Sequence, residues 1–452
     1  MRVGRVNSKY VFDSYRLNSD FHLTDGVVYD RFFRSMNHET LGALSSDIFC
    51  AGRSKRIYVD KENGIPYLGN TDITSSNPLS SCNYASKKFW KEGKGFLKEG
   101  MILTGRVGQN TVGAFSFASK EVEGSIGSDN VIRIISNGKV ENGYLYSFLA
   151  SKYGFHLARR HISGNAQPFI TEEMLADLPI PILPQTKQQE IHSLIIEASN
   201  LRAESNKLLR EAIEMMEEKL PSIEFKTIYK AKISSRTNHN SRIEATYNTN
   251  SIEGFYRVLN ENNIELKSIS ELSDQVFTPG IFKRIRTNNP DKGVPFLSGS
   301  DLLNQYPNFQ SFLSRKMKNI DNYILRDGWI AIQDAGTIGY LSYITKFLDG
   351  VSATNNLVRV VPNENDNKNY YIYCFLKTKV GQNLLKSLEY GSVQKHIDNH
   401  QISSFLVPIF HDIEGAISEK VEKCMINLSD ACFMEKEAIE LVEKEIESWQ
   451  ES

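Results

Sequence analysis

Two histidines four residues apart, His396 and His400 in the segment HIDNH, have the spacing with which one helical face offers two imidazoles to a metal. The glutamate that a zinc hydrolase places between them is absent, and no third ligand stands near them in the sequence. Surface or packing histidines are the simpler reading. Other chemistries fail in the same way. GKGF, at Gly93–Phe96, holds only a fragment of a phosphate-binding loop, and GSIG, at Gly124–Gly127, lacks the spacing of a dinucleotide fingerprint. There is no Asn/Asp-Pro-Pro-aromatic tetrad of the kind that seats a base in an amino-methyltransferase; Asn289-Pro290-Asp291 reads as a turn. No Ser/His/Asp or Cys/His arrangement can be assembled. The sequence reads as a binding or scaffolding protein, not an enzyme.

The elements that would carry such binding come from the whole chain. At 452 residues it is too long for one ordinary core, and two or three domains are expected. No apolar run reaches the 18 or so residues that span a bilayer, and the first residues do not resemble a signal peptide. The five cysteines are scattered without CxxC spacing, which points to a reducing cytoplasm. Net charge is −1, yet it is unevenly spread: +3 over residues 26–178, +2 over 251–405 and −8 over 406–452. Two mildly basic blocks are masked by an acidic end. A basic face for a polyanion and a mixed solvated surface both fit these sums.

The chain is written twice. ISGNAQPFITEEMLADLPIPIL (162–183) matches EYGSVQKHIDNHQISSFLVPIF (389–410), with Gly164, Gln167, Ile170 and Pro181 falling on Gly391, Gln394, Ile397 and Pro408. Arg16 falls on Arg242 in the pair YRLNSDF and SRIEATY, and GIPYLGNTDI faces GVPFLSGSDL. LKEGMILTGRVG faces LRDGWIAIQDAG, NVIRII faces NLVRVV, and YLYSFLASKYG faces YIYCFLKTKVG. The order is kept and the offsets stay between 226 and 229 residues, so the protein is two copies of one unit.

Each copy has the same plan: short strand-like runs broken by Gly, Asn and Asp turns, a helical piece, the Gly-x-x-Gln phrase, a proline-bracketed strand and a long helix. In the first long helix Ile191, Leu194, Ala198, Leu201, Ser205, Leu208, Ala212 and Met215 alternate spacings of three and four. In the second, Ile417, Val421, Cys424, Leu428 and Ala431 repeat the pattern, after which the register slips toward Met434, Ala438 and Leu441. Such seams predict two helices packed antiparallel as a coiled coil that spaces the β-rich domains. The fold class is α+β, with two tandem β-rich domains, each followed by a long helix. The expected division is residues 1–178, a first recognition domain; 179–226, a central helical spacer; 227–405, a second recognition domain; and 406–452, a C-terminal helical spacer.

These phrases, in this order and twice over, resemble the specificity (S) subunit of Type I restriction–modification systems, across nearly the whole chain. The carriers are RLNSDF and RIEATY, GIPYLGNTDI and GVPFLSGSDL, the glycine turns TGRVGQNTVG and QDAGTIG, and GNAQPFI…LADLPIPIL with GSVQKHI…ISSFLVPIF. Two departures stand out: FHDIEGAI lacks the Pro and Gln that LPQTKQQEI keeps, and TGRVGQN replaces the family's usual Ser-Arg-Ser-Gly-Thr. The resemblance implies two target recognition domains that read a bipartite site on double-stranded DNA. It implies a subunit with no chemistry and no cofactor of its own. Two modification subunits would bind it and methylate adenines with S-adenosylmethionine, and a restriction or translocase subunit using ATP and Mg can join them. Two alternatives remain beside it. One is a specificity subunit of another methylation-linked phage-defence or bipartite Type II system; the other is a protein scaffold that no longer binds DNA.

Base edges are read by Arg, Lys, Asn and Gln on exposed loops, while phosphate contacts position the protein. In the first copy the candidates are Arg53, Lys55 and Arg56, then Arg106, Gln109 and Asn110 at the glycine turn. In the second they are Lys283, Arg284 and Arg286, then Gln333 and Thr337. Lys87 and Lys88, with Arg315, Lys316 and Lys318, suit phosphates. Gln167 and Gln394 recur in both copies, which fits a role shared by the two lobes, such as a backbone contact or holding the fold, better than reading of different bases. The helical partner interface is expected at Ile191, Leu194, Ala198, Leu201, Leu208, Met215, Ile417, Val421 and Leu428.

Overall fold

The computed structural model describes residues 5–14, 16–90, 93, 95–108, 110–164, 167–222, 250–307, 309, 311–336, 338–391 and 394–451. Gln109, Thr337 and the segment containing Arg242 fall outside the described residues. The chain divides into two compact units. One is Met1–Ala203 with Asn304–Tyr306 and Asp430–Ser452; the other is Glu204–Leu303 with Pro307–Ser429.

In the first unit the strands are β1 (His38–Thr40), β2 (Ser45–Cys50), β3 (Gly64–Leu68), β4 (Asn83–Ser86), β5 (Ile102–Gly105), β6 (Phe115–Phe117), β7 (Ile126–Gly127), β8 (Val131–Ser136) and β9 (Pro179–Pro181). They form an antiparallel sheet in the order β2-β8-β5-β6, a sheet β4-β3-β7 whose β3 and β7 run parallel, and the pair β1-β9. The second unit has β10 (Glu265–Ser268), β11 (Ser273–Phe277), β12 (Arg286–Thr287), β13 (Gly293–Leu297), β14 (Phe312–Ser314), β15 (Ile330–Gln333), β16 (Leu341–Tyr343), β17 (Ser352–Ala353), β18 (Leu357–Pro362) and β19 (Leu406–Ile409). Its sheets are β11-β18-β15-β16, β12-β14-β13-β17 and β10-β19. The topology is the same sheet plan repeated, down to a register shift at Ser45/Asp47 and again at Ser273/Gln275. A duplicated sequence has given a duplicated fold.

Local chemistry explains the repeated phrases. VIRIIS and LVRVVP are β-branched runs whose first four residues are buried at the sheet centre. The helical piece is broken in each copy by a hydroxyl cap. Ser151 Oγ accepts from the Gly154 N–H at 3.4 Å, and Thr378 Oγ1 accepts from the Gly381 N–H at 3.0 Å. The following helices, Lys152–His161 and Lys379–Ser387, therefore start afresh. The proline strands are held by a buried tyrosine: Tyr144 donates to the Pro181 carbonyl, and Tyr371 to the Pro408 carbonyl at 2.9 Å.

The long helices are Gln185–Lys219 and His411–Glu451. Within the first unit Ile191, Ile195, Ala438, Val442 and Ile446 share one apolar cluster, and Arg202 pairs with Glu435. Within the second, Ser205 Oγ donates to the Cys424 carbonyl at 2.7 Å, Lys420 meets Glu211 at 2.6 Å and Lys219 meets Asp412 at 2.5 Å. Rising numbers on one helix meet falling numbers on the other, so both stretches are antiparallel.

The seam runs in a different register from the one expected. Ile191, Ala198, Ser205 and Ala212 are buried as anticipated, but the alternate positions are Ile195, Arg202, Leu209 and Met216. Leu194, Leu201 and Met215 lie half-buried on the flank, and Leu208 is buried beside Leu209. On the terminal helix Ile417 and Val421 are fully buried and Leu428 is half-buried. No slip follows, because Glu435, Ala438, Val442 and Ile446 continue the spacing. The reason is physical. An apolar count prefers Leu201 to Arg202 and Met434 to Glu435, yet the buried pair Arg202–Glu435 occupies the seam. Tyr146 donates its hydroxyl to Glu435, which is 0% exposed. Burial works against the charge on Arg202, but Glu435, together with Cys432 and Tyr146, holds the guanidinium above its ordinary value.

Candidate nucleic-acid interface

In the first lobe β2 leads into an exposed loop carrying Arg53, Lys55 and Arg56. The loop is fastened to β4 on both sides of Tyr58: the Ser86 N–H donates to the Ile57 carbonyl at 2.8 Å, and the Val59 N–H to the Tyr84 carbonyl at 2.9 Å. Arg56 lies over the Tyr67 ring with its guanidinium carbon 5.8 Å from the centroid, within cation–π range. Both arginines converge on one carboxylate. Arg53 Nε is 3.6 Å from Asp129, and Arg56 Nη2 bonds its other oxygen. Lys55 and Lys88 approach the ring of Phe89 at 5.9 and 6.0 Å, bringing Lys87 and Lys88 beside the loop.

Asp129 belongs to the turn before β8, and that turn is held from beneath. Arg133 is 0% exposed and donates to the carbonyls of Gly95, Gly127, Ser128 and Val131 at 2.5–3.1 Å. Burial lowers its pKa to about 10, with Cys50, Tyr67 and Asp129 pulling the other way. The glycine turn joins here too, since the Arg106 N–H donates to the Asn130 carbonyl at 2.7 Å. Arg106 is half-buried and Asn110 exposed. The Gly-x-x-Gln phrase forms a hairpin closed by Ser163 and Phe169, and it docks on the glycine turn through Gly108 N–H to Pro168 carbonyl at 3.0 Å. Gly164 has φ +87°, and a Cβ there would come within 2.5 Å of the Gln167 carbonyl, so the glycine is required. Gln167 is exposed.

The second lobe repeats the assembly. Lys283, Arg284 and Arg286 are exposed, and Arg284 lies 5.1 Å from the Phe296 ring, the counterpart of Tyr67. Arg284 Nη2 reaches Thr354 Oγ1 at 3.3 Å, on the turn before β18. Beneath that turn the buried Arg359 donates to the carbonyls of Leu357 and Thr354 at 3.1 and 3.3 Å, and burial lowers its pKa to about 10. Arg315, Lys316 and Lys318 follow β14 and are exposed. The hairpin closed by Tyr390 and His396 carries exposed Gln394 and docks on Asp334 of the glycine turn. Gly391 has φ +97°.

One expectation changes. Gln333 is 8% exposed at the end of β15, with its N–H bonded to the Tyr340 carbonyl, so it is a sheet residue and not a side chain on an open loop. His396 lies in the hairpin and His400 in the helix Asn399–Ser403, so the two do not share a helical face. Among the described residues no group of three His, Cys, Asp or Glu could hold a metal. Asp129, Arg133, Thr354 and Arg359 also belong to the site. Their signal is the twice-written turn before a strand with a central arginine, SDNVIRII and TNNLVRVV.

Residues 46–215 and 261–414 match the family model described as Type I restriction modification DNA specificity domain. No curated protein matches the chain. Among solved structures, the chain is similar to a Type I restriction–modification S subunit from M. genitalium, at 13% identity and TM-score 0.33. It is also similar to a structure describing complex assembly and conformational transition of the type I R-M system, at 12% and 0.30. A third is the HsdS subunit from Thermoanaerobacter tengcongensis, at 13% and 0.28. Each covers 90% of this chain and 95% of the other.

Proposed function

Since the chain belongs to the family of Type I restriction–modification DNA specificity domains, we propose that its two lobes each read one half of a bipartite duplex site and direct adenine methylation there. Two methyltransferase subunits supply the chemistry with S-adenosylmethionine, and flip the adenine they modify. A restriction subunit with ATP and Mg can complete the complex. The chain itself contributes binding, not catalysis, and works in the cytoplasm. No helix among the described residues is long and apolar enough to cross a membrane.

The observation that carries this reading is one arrangement found in both lobes. A Lys-Arg pair (Lys55-Arg56, Lys283-Arg284) sits on an exposed loop, with the arginine over an aromatic ring and against the turn before the central strand. Guanidinium groups in such a setting suit the O6 and N7 of guanine, and the neighbouring lysines suit phosphates. Two matched cationic loops fit a polyanion such as duplex DNA.

The test is a titration of the chain with its methyltransferase against duplex DNA at several salt concentrations. Phosphate contacts should make the logarithm of affinity fall by about 0.9 per contact per decade of salt. Affinity that does not respond to salt contradicts the proposal.

A further inference from the structure

Two isoleucines on the second lobe's loop carry no hydrogen-bonding side-chain group, Ile281 and the less exposed Ile285. Ile281 is 94% exposed, at the head of the loop that bears Lys283, Arg284 and Arg286. Its neighbours on both sides are fixed. The Tyr323 hydroxyl donates to the Gly280 carbonyl at 3.3 Å, and the Phe282 ring packs on the Tyr323 ring with centroids 3.6 Å apart. Phe282 and Tyr323 belong to one apolar cluster with Phe296, Leu313 and Met317. The isoleucine is therefore presented outward between two anchored residues. In the first lobe the equivalent position, one residue after Gly52, is Arg53, whose side chain is 95% exposed.

We propose that Ile281 is a specificity-determining residue, packing against the 5-methyl group of a thymine in the half-site that the second lobe reads. This rests on the DNA-reading function proposed above. An aliphatic side chain offers DNA no donor or acceptor. The apolar feature of a base edge is the thymine methyl, which projects into the major groove beside the guanine atoms that Arg284 and Arg286 can bond. Aliphatic wedges that insert between base steps do so from the minor groove, whereas a residue beside arginines suited to guanine O6 and N7 lies in the major groove, where the thymine methyl projects. The lobes then differ at matched positions by chemistry: a guanidinium reader in one and a methyl reader in the other.

Binding selection from random duplex DNA, with the chain and its methyltransferase, tests this for the wild type and Ile281→Ala. The variant should lose preference for T·A at one position of one half-site and keep the rest of the motif. Replacing that thymine by deoxyuridine should then weaken wild-type binding about fourfold, the effect of one buried methyl-sized group, and leave Ile281→Ala unaffected. An unchanged motif in the variant overturns the inference. So does an affinity loss in the variant that deoxyuridine does not reproduce, which would mark insertion between bases. If the wild type enriches no motif, the DNA-reading function itself fails; that result is distinct from either of the other two.

Discussion

Asp129 in the first lobe and Asn355 in the second hold the same place in the repeat, and the difference reorganises the charge around them. Asp129 draws Arg53 and Arg56 onto one carboxylate. At the matched place the second lobe offers an amide and the Thr354 hydroxyl, and Arg284 keeps its charge free of any carboxylate among the described residues. The glycine turn reverses the pattern: Arg106 in the first lobe stands where the second has Asp334. Underneath, nothing has moved. Arg133 and Arg359 brace the same turn, and an aromatic ring lies under the same arginine. A common frame with exchangeable charges would let two lobes of one fold present different groups to DNA. The frame fixes where a reader stands, and the turn residues decide which groups it presents.

The helix seams differ as well, and there the largest effect is expected. Glu435→Ala leaves Arg202 buried without its counter-charge and should destabilise the protein by about 3–5 kcal/mol in a urea titration. Cys424→Ala, on the seam of the other unit, should cost about 1–2 kcal/mol, because it removes one small buried side chain. Equal losses would erase the contrast between a charged seam and a neutral one.

Next come the reading loops. Arg284→Ala should weaken binding to the cognate duplex by about 1–3 kcal/mol. Arg56→Ala should weaken it less, since Asp129 already offsets part of that charge, and Asp129→Asn should tighten it. Identical titrations for Arg56→Ala and Arg284→Ala would show that the carboxylate does not matter.

A smaller, pH-dependent effect belongs to Asp334. Burial raises its pKa to about 6, against the opposing pull of His396 and Arg359. Its folded-state pKa thus lies above the unfolded value near 3.8. Its contribution to stability is therefore greatest at low pH and falls as pH climbs from about 4 to about 6. Ionisation would also place a negative charge on a turn that, in the proposed function, faces DNA. Binding by the second lobe should weaken as pH rises through 6, and Asp334→Asn should bind more tightly than wild type at pH 8 but not at pH 5. A constant ratio between the two proteins across this range would remove Asp334 from the interface.

Much of this was legible in the sequence because a repeat reveals what a single copy hides. The strands, the recurring glycines Gly164 and Gly391 and the Lys-Arg loops follow from matching the two copies, and the antiparallel helices from their repeated apolar spacing. The seam register did not, because apolar patterning cannot anticipate Arg202 and Glu435 in a core where each satisfies the other. Gln333 misled for a related reason: polar residues are assigned to loops by default, and this one ends a buried strand. The Arg53–Arg56–Asp129 cluster joins residues more than 70 positions apart, which no local motif encodes.

The central claim is that two copies of one DNA-reading unit address two separate half-sites. It is tested most directly by single-molecule sequencing of methylated sites in hosts carrying the wild type, Arg56→Ala or Arg284→Ala. The account predicts a two-part motif, with each variant relaxing bases in a different half. Relaxation of the same positions by both variants, or a motif with a single part, would contradict it.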